Sequence, residues 1–249
     1  MIIRDFDLDA PYVPDNVVIA SIMQQKNCTS EEATREYINQ WRDLRSSFRF
    51  QTRCTVSMYR RILGKTVIAD CVKVVVECVK CNLDTKAHNF TGVRTIQVQY
   101  DVREFFSLDP LQKKEKSLEL LMEGIQKITK LLQWDLNPFV TAYDEVIHQN
   151  YQNHWLWKKV KSPNLKMCAE LWVFHEIDAV DLVLVIRDKK GVEISRGFII
   201  SDKPDELIFD KYLGVFRWES NSQITLTAKY PDILDGTITG DVWKWSLDL

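Results

Sequence analysis

The sequence predicts an α+β protein with an N-terminal helical segment, antiparallel strands, a central pair of helices and a C-terminal antiparallel β-meander. Helical periodicity with clear start signals occurs before residue 50 and again between residues 108 and 162. Runs rich in β-branched and aromatic residues lie between these segments and after residue 165. Glycine and proline number only 8 and 7 among 249 residues, so we expect short connections. A single compact domain, 1–249, should result, with sub-regions 1–107, 108–162 and 163–249.

Two N-terminal helices are predicted to form a hairpin. Thr29 followed by Glu32 is a capping box, in which each side chain satisfies the backbone N–H of the other residue. The apolar residues that follow recur at helical spacing and are Tyr37, Trp41, Leu44 and Phe48. A shorter helix is expected before this one, at 16–25.

Three strands are predicted between Phe48 and Tyr100, at 54–63, 65–81 and 93–102, with a turn at Leu63-Gly64. Upstream, Asp5, Asp7 and Asp9 alternate along "DFDLDA". A calcium loop would need glycine and glutamate at the positions of Ala10 and Asn16, so this pattern favours an edge strand with one charged face.

Two further helices are predicted after residue 108. Asp109 is predicted as the N-cap of the first of these helices, with Pro110 at the first helical position. Asn137 and Pro138 are predicted to begin the second helix in the same way. The second helix is expected to continue through residue 161. On a helical wheel, Asn150 and His154 then fall within its apolar stripe, which indicates either hydrogen-bonded core residues or an internal pocket.

The residues after 165 predict an antiparallel meander, because strand-like runs are separated by turn signals. The runs are 165–175, 180–188, 192–200, 212–219, 223–230 and 237–247. The turn signals are Lys190-Gly191, Asn221-Ser222 and Asp235-Gly236.

Charge is unevenly distributed although the net charge is only −2. Residues 42–65 contain seven basic residues and one acid, which indicates a solvated face or a patch for an acidic partner. Residues 201–249 carry nine acids and five bases. The sequence pI near 6.1 argues against a nucleic-acid partner. DNA binding through the N-terminal hairpin, with Arg35, Asn39, Gln40 and Arg42 on its second helix, is retained as an alternative.

No catalytic residue, metal site or cofactor is predicted. Cys78 and Cys81 form a lone Cys-x-x-Cys, and a regular strand would point them to opposite faces, so both are expected to be structural thiols. Nucleophile-elbow, phosphate-loop and dinucleotide motifs are missing from the sequence. A small-molecule enzyme remains an alternative through a pocket formed by Asn150, His154, His175, Glu176, Asp178 and Asp181.

The leading functional hypothesis is a non-enzymatic, cytoplasmic protein that binds another protein. Eight tryptophans and eight tyrosines can supply interface anchors, and no apolar run is long enough to span a membrane. A bacterial immunity protein, which occludes a toxin, is one class of this kind. A basic toxin would then meet the acidic C-terminal strands through Asp202, Asp205, Glu206, Asp210, Glu219, Asp232 and Asp235. The oligomeric state is left open.

Overall fold

Backbone contacts divide the chain into two units, Met1–Gln152 and Asn153–Leu249. The sequence predicts a single domain over the same residues. The computed structural model describes residues 1–81, 83–229, 232–234, 237–239 and 242–247. The predicted α+β class is confirmed. The predicted break after residue 162 lies too late, because residue 154 already begins a strand.

The first unit begins with strand β1 (Asp5–Asp9) and the predicted helical hairpin, α1 (Asn16–Lys26) and α2 (Ser30–Leu63). The Thr29 capping box is confirmed. The strand predicted at 54–63 is wrong, since these residues are the last turns of α2. Residues 54–59 are all buried, and a helix that is enclosed on every side has the same apolar composition as a buried strand.

A four-stranded sheet, ordered β1-β2-β4-β3, lies beside these helices. Its other strands are β2 (Lys73–Val79), β3 (His88–Phe90) and β4 (Val93–Gln99). The edge strand predicted at Asp5–Asp9 is confirmed. The antiparallel arrangement expected for this region does not hold for β1–β2 and β2–β4, which pair in parallel. The helices between β1 and β2 return the chain to the same end of the sheet, which a parallel pair requires.

Helix α2 is tied to β1 by a ladder of ion pairs. The three aspartates of β1 share one face of the strand, and arginines four residues apart share one face of the helix. The pairs are Arg45–Asp9 at 2.6 Å, Arg49–Asp7 at 3.2 Å, Arg53–Asp5 at 2.8 Å and Arg53–Asp7 at 3.0 Å. The centre of the basic run at 42–65 is therefore neutralised within the protein rather than offered to an acidic partner.

The rest of the first unit is helical: α3 (Val102–Phe105), α4 (Pro110–Leu132) and α5 (Asn137–His148). Asp109 caps α4 as predicted. The continuation of α5 to residue 161 is wrong, and so is the helical stripe that held Asn150 and His154. The chain turns at Asn150 and Tyr151, whose φ angles are 50° and 55°. Asparagine adopts this left-handed conformation more readily than most residues, which explains a polar residue here.

Gly124 sets the distance between α4 and β2. A Cβ atom at this position would lie 2.3 Å from Cγ2 and 2.7 Å from Cγ1 of the buried Val76. We expect Gly124→Ala to lower the free energy of unfolding by about 2 kcal/mol through overpacking, although alanine favours a helix. Urea unfolding followed by circular dichroism measures the effect. The double variant Val76→Ala/Gly124→Ala relieves the clash and should recover part of the lost free energy of unfolding. A Gly124→Ala variant that is more stable than the parent would contradict the close approach of α4 and β2.

The second unit contains the predicted antiparallel meander. Four consecutive strands pair in order: β5 (His154–Lys161), β6 (Met167–His175), β7 (Val180–Asp188) and β8 (Glu193–Asp202). After α6 (Glu206–Phe209), a second sheet is ordered β13-β10-β9. It consists of β9 (Val215–Trp218), β10 (Gln223–Thr227) and β13 (Val242–Ser246), while β11 (Asp232–Leu234) pairs with β12 (Thr237–Thr239).

The core of this unit lies between the two larger sheets. Alternate residues of β6 and β7 point into it, together with Phe216, Ile224 and Leu226 of the second sheet. Gly197 of β8 admits the Trp245 ring, since a Cβ atom there would lie 1.8 Å from Cζ2. The opposite face of the β5–β8 sheet, which we call the outer face, is directed away from this core.

Candidate functional site

The outer face carries a continuous apolar row across all four strands. Leu156 of β5 pairs with Trp172 of β6, Trp172 with Val183 of β7, and Val183 with Phe198 of β8. Leu156 is 38% exposed and Phe198 is 57% exposed, while Trp172 and Val183 are partly exposed. We call these four residues the apolar row. None of the four belongs to the hydrophobic core of the second unit.

Charged side chains of opposite sign flank the apolar row. On one side, the outer face carries four bases and two acids: Lys159, Lys161, Arg187 and Arg196, with Glu170 and Glu193. On the other side, Asp181 lies on β7, while Glu176 and Asp178 lie in the turn between β6 and β7. The outer face is therefore basic at one end, apolar in the middle and acidic at the other end.

Glu170 is the centre of the basic end. Its carboxylate accepts hydrogen bonds from Lys159 Nζ at 2.8 Å, Arg187 Nε at 3.0 Å and Trp172 Nε1 at 3.1 Å. Burial alone would raise the pKa of this carboxyl group, but the three donors outweigh burial and lower the pKa to about 2. The network also holds the Trp172 ring in place within the apolar row.

The structure joins only part of the pocket predicted around the histidines. His154 Nε2 lies 2.6 Å from Glu176 Oε1, and the His154 ring packs on Phe174 of the outer face at 4.6 Å between centroids. His175 is fully buried on the inner face of β6, where its ring meets Phe209 edge-on at 5.9 Å. His154 pairs with Phe174 and lies on the same face of the sheet. Consecutive residues of a strand point to opposite faces, so His175 lies on the other face and the two histidines do not converge.

Two further pocket candidates, Asn150 and Asp178, lie in turns. Asn150 lies in the turn that ends the first unit, and Asp178 is exposed in the turn between β6 and β7. Among the residues that the structure describes, no three His, Cys, Asp or Glu side chains are arranged to hold a metal ion.

Most of the acidic residues proposed to meet a basic toxin have partners within the second unit. Asp202 accepts from the Tyr212 hydroxyl at 2.6 Å, and Asp205 caps α6. Asp210 forms an ion pair with Lys229 at 2.7 Å, and Glu219 forms one with Arg217 at 2.8 Å. Glu206 lies in α6 and Asp232 in β11, whereas Asp235 is outside the described residues.

The regular strand expected to contain both Cys78 and Cys81 ends at Val79, so only Cys78 belongs to it. Cys78 is buried in β2 and Cys81 is exposed just after it. Burial raises the pKa of the Cys78 thiol well above its ordinary value, which keeps it protonated. All six cysteines are free thiols.

No family model, curated protein or solved structure matches this chain. Within the described residues, no helix combines the length and the apolar character that a membrane span requires.

The apolar row was not predicted as a site from the sequence, although a signal was present. An antiparallel sheet with one solvated face alternates apolar and polar residues. In β6 the run "LWVF" is apolar at four successive positions, 171–174, and β7 repeats this with "LVLVI" at 182–186. Apolar residues on both faces of a sheet indicate that both faces are covered, or that one awaits a partner.

Proposed function

We propose that this chain is a non-enzymatic protein-binding protein whose binding surface is the outer face of the β5–β8 sheet. One observation carries the proposal: the apolar row is exposed at the centre of a face whose two ends bear opposite charge. Aromatic side chains at the centre of a patch, with charges at its rim, are typical of protein interfaces.

The occupant that this surface fits best is a second copy of the chain. In a two-fold dimer, each patch meets its own copy and must be self-complementary. A two-fold axis that runs along the apolar row places the row of one copy on the row of the other. The same rotation brings the basic end of each copy against the acidic end of its partner. Opposite charges then meet on both sides of the row.

Sedimentation equilibrium of the full chain, across concentrations from about 1 to 100 μM, tests this proposal. We expect a dimer in the parent protein. We expect a monomer in Phe198→Glu, because a carboxylate is then buried at the centre of the contact. Phe90→Glu is the matched control, since Phe90 is 79% exposed but lies on β3 of the first unit. Its dimer should persist. A parent protein that is monomeric throughout this range, or a dimer that Phe198→Glu leaves intact, contradicts the proposal.

Salt provides a second measurement of the same contact. Salt screens paired charges at the rim of a surface, because the Debye length falls to about 3 Å at about 1 M. We therefore expect the dissociation constant of the dimer to rise when NaCl is raised from about 0.05 to about 1 M. A dissociation constant that falls instead would indicate a contact without charge complementarity.

The narrower hypothesis, a bacterial immunity protein that occludes a toxin, remains a proposal from the sequence. It predicts a partner of different sequence and a stable one-to-one complex. If such a toxin occupies the outer face, Phe198→Glu should abolish neutralisation while Phe90→Glu retains it. A toxin that binds the acidic C-terminal strands instead should be affected by Glu219→Lys.

A further inference from the structure

The first unit contains a cavity of about 460 Å³ at one edge of its sheet. Ala10, Lys80 and Tyr100 line it, and each follows the carboxyl end of one parallel strand: β1, β2 and β4 respectively. Tyr37 and Trp41 of α2 form the facing wall. In sheets with parallel strands, the crevice beyond the carboxyl ends is the usual place of ligand binding.

The aromatic walls of the cavity are fixed by hydrogen bonds and ring contacts. Trp41 Nε1 donates to the Ala10 carbonyl oxygen at 2.9 Å, and Tyr12 packs on the Trp41 ring with centroids 5.2 Å apart. The Tyr37 hydroxyl donates to the Val13 carbonyl oxygen at 2.8 Å. Flat apolar walls that are rigid before binding favour a planar ligand, because little entropy is lost when it binds.

Arg103 differs from the other ionisable side chains that line the cavity in its ion-pair partners. Asp15 accepts hydrogen bonds from the first N–H groups of α1, and Asp101 pairs with Lys80 at 3.0 Å. In the part of the chain that the structure describes, Arg103 makes no ion pair. Burial raises the pKa of Tyr37, and the Arg103 guanidinium opposes this shift through its charge and a hydrogen bond to the Tyr37 side chain. A guanidinium without an ion pair can bind a carboxylate or phosphate with two parallel hydrogen bonds.

We propose that this cavity binds a small planar organic anion, a ring that carries a carboxylate or phosphate group, with the ring against Trp41 and the anionic group on Arg103. The carboxylates of the lining are already hydrogen-bonded, which makes the cavity a poor site for a cation. The volume, about 460 Å³, lies within the range of small-molecule sites, about 300 to 1,000 Å³.

Isothermal titration of the full chain with benzoate and with phenyl phosphate tests the proposal. Benzyl alcohol supplies the ring without the charge, and acetate and inorganic phosphate supply the charge without the ring. We expect one of the two ring-bearing anions to bind with a dissociation constant below about 1 mM, and the three fragments to bind at least tenfold more weakly. Comparison of the two ring-bearing probes distinguishes carboxylate from phosphate.

Two variants locate the binding. Arg103→Met should weaken it at least tenfold, because the anionic group loses its partner. Arg35→Met is the matched control, as Arg35 is an exposed arginine of α2 that does not line the cavity. Gln40→Trp fills the cavity from an exposed position on α2 without a change of charge, and it should also weaken binding.

These outcomes do not depend on whether the protein forms a dimer, because the proposed dimer contact lies in the second unit and the cavity lies in the first. Equal affinity in Arg103→Met and Arg35→Met overturns the proposal, as does binding that Gln40→Trp leaves unchanged. Failure of both ring-bearing anions to bind with a dissociation constant below about 1 mM also overturns it, since ligands of this size reach such affinity in a preformed site. Circular dichroism of each variant confirms that the helices of the first unit are intact.

Discussion

Replacement of Arg53 by methionine is expected to lower the free energy of unfolding of the first unit by about 3 kcal/mol. The Arg53 side chain is only 15% exposed and contacts both Asp5 and Asp7, whose side chains are 26% and 12% exposed. Burial would raise the pKa of Asp5, but Arg53 and Lys73 outweigh burial and lower it. The variant leaves two half-buried carboxylates with fewer cations, and such a loss costs more than an exposed ion pair is worth.

Arg35→Met is the matched control for this prediction, since it removes an arginine from the same helix. Arg35 pairs with Glu31, but the two side chains are 68% and 84% exposed. We expect a change of at most about 0.5 kcal/mol. Urea unfolding followed at 222 nm reports the first unit, which contains α1 to α5. Equal stability in the two variants would show that the ladder between α2 and β1 contributes no more than a surface pair.

The second large effect is expected from Glu170→Gln, which should destabilise the second unit by about 3 kcal/mol at pH 7 and by little at pH 2. The Glu170 pKa is about 2 in the folded protein and 4.5 ordinarily. A carboxyl group with a lowered folded pKa contributes stability above its unfolded pKa, and this contribution is lost as the pH falls towards the folded pKa. The window therefore runs from about pH 4.5 down to about pH 2.

Tryptophan fluorescence during urea unfolding measures this effect, because six of the eight tryptophans lie in the second unit. The curves of parent and variant should converge as the pH falls through the window. Glu219→Gln is the control: Glu219 pairs with Arg217 at the surface, so its removal should cause a much smaller change. A constant difference between parent and Glu170→Gln from pH 7 to pH 2 would mean that the lowered pKa does not stabilise the fold.

Prediction of the fold from sequence succeeded where local signals decide the structure. The capping boxes at Thr29 and Asp109 begin helices where predicted, because each cap needs only residues within one turn. The edge strand at Asp5–Asp9 and the antiparallel order of β6 to β8 were also predicted. Turn residues between neighbouring strands determine such an order locally.

Prediction failed where burial or a turn overrode periodicity. The end of α2 resembles a strand because it is enclosed. The sequence predicts a helix for the residues of β5 because the apolar stripe of α5 continues past His148 on a helical wheel, although the chain turns at Asn150 and Tyr151. His154 then lies on the outer face, beside Glu176.

The sequence by itself determined the α+β class, the capped starts of α2 and α4 and the edge strand, since each follows from neighbouring residues or composition. Only the tertiary structure decided which strands pair in parallel, where the chain divides and which side chains share a face or a cavity. The apolar row unites residues from four strands, and the cavity unites the ends of three strands with α2. Such surfaces depend on contacts between distant segments, which no local pattern in the chain specifies.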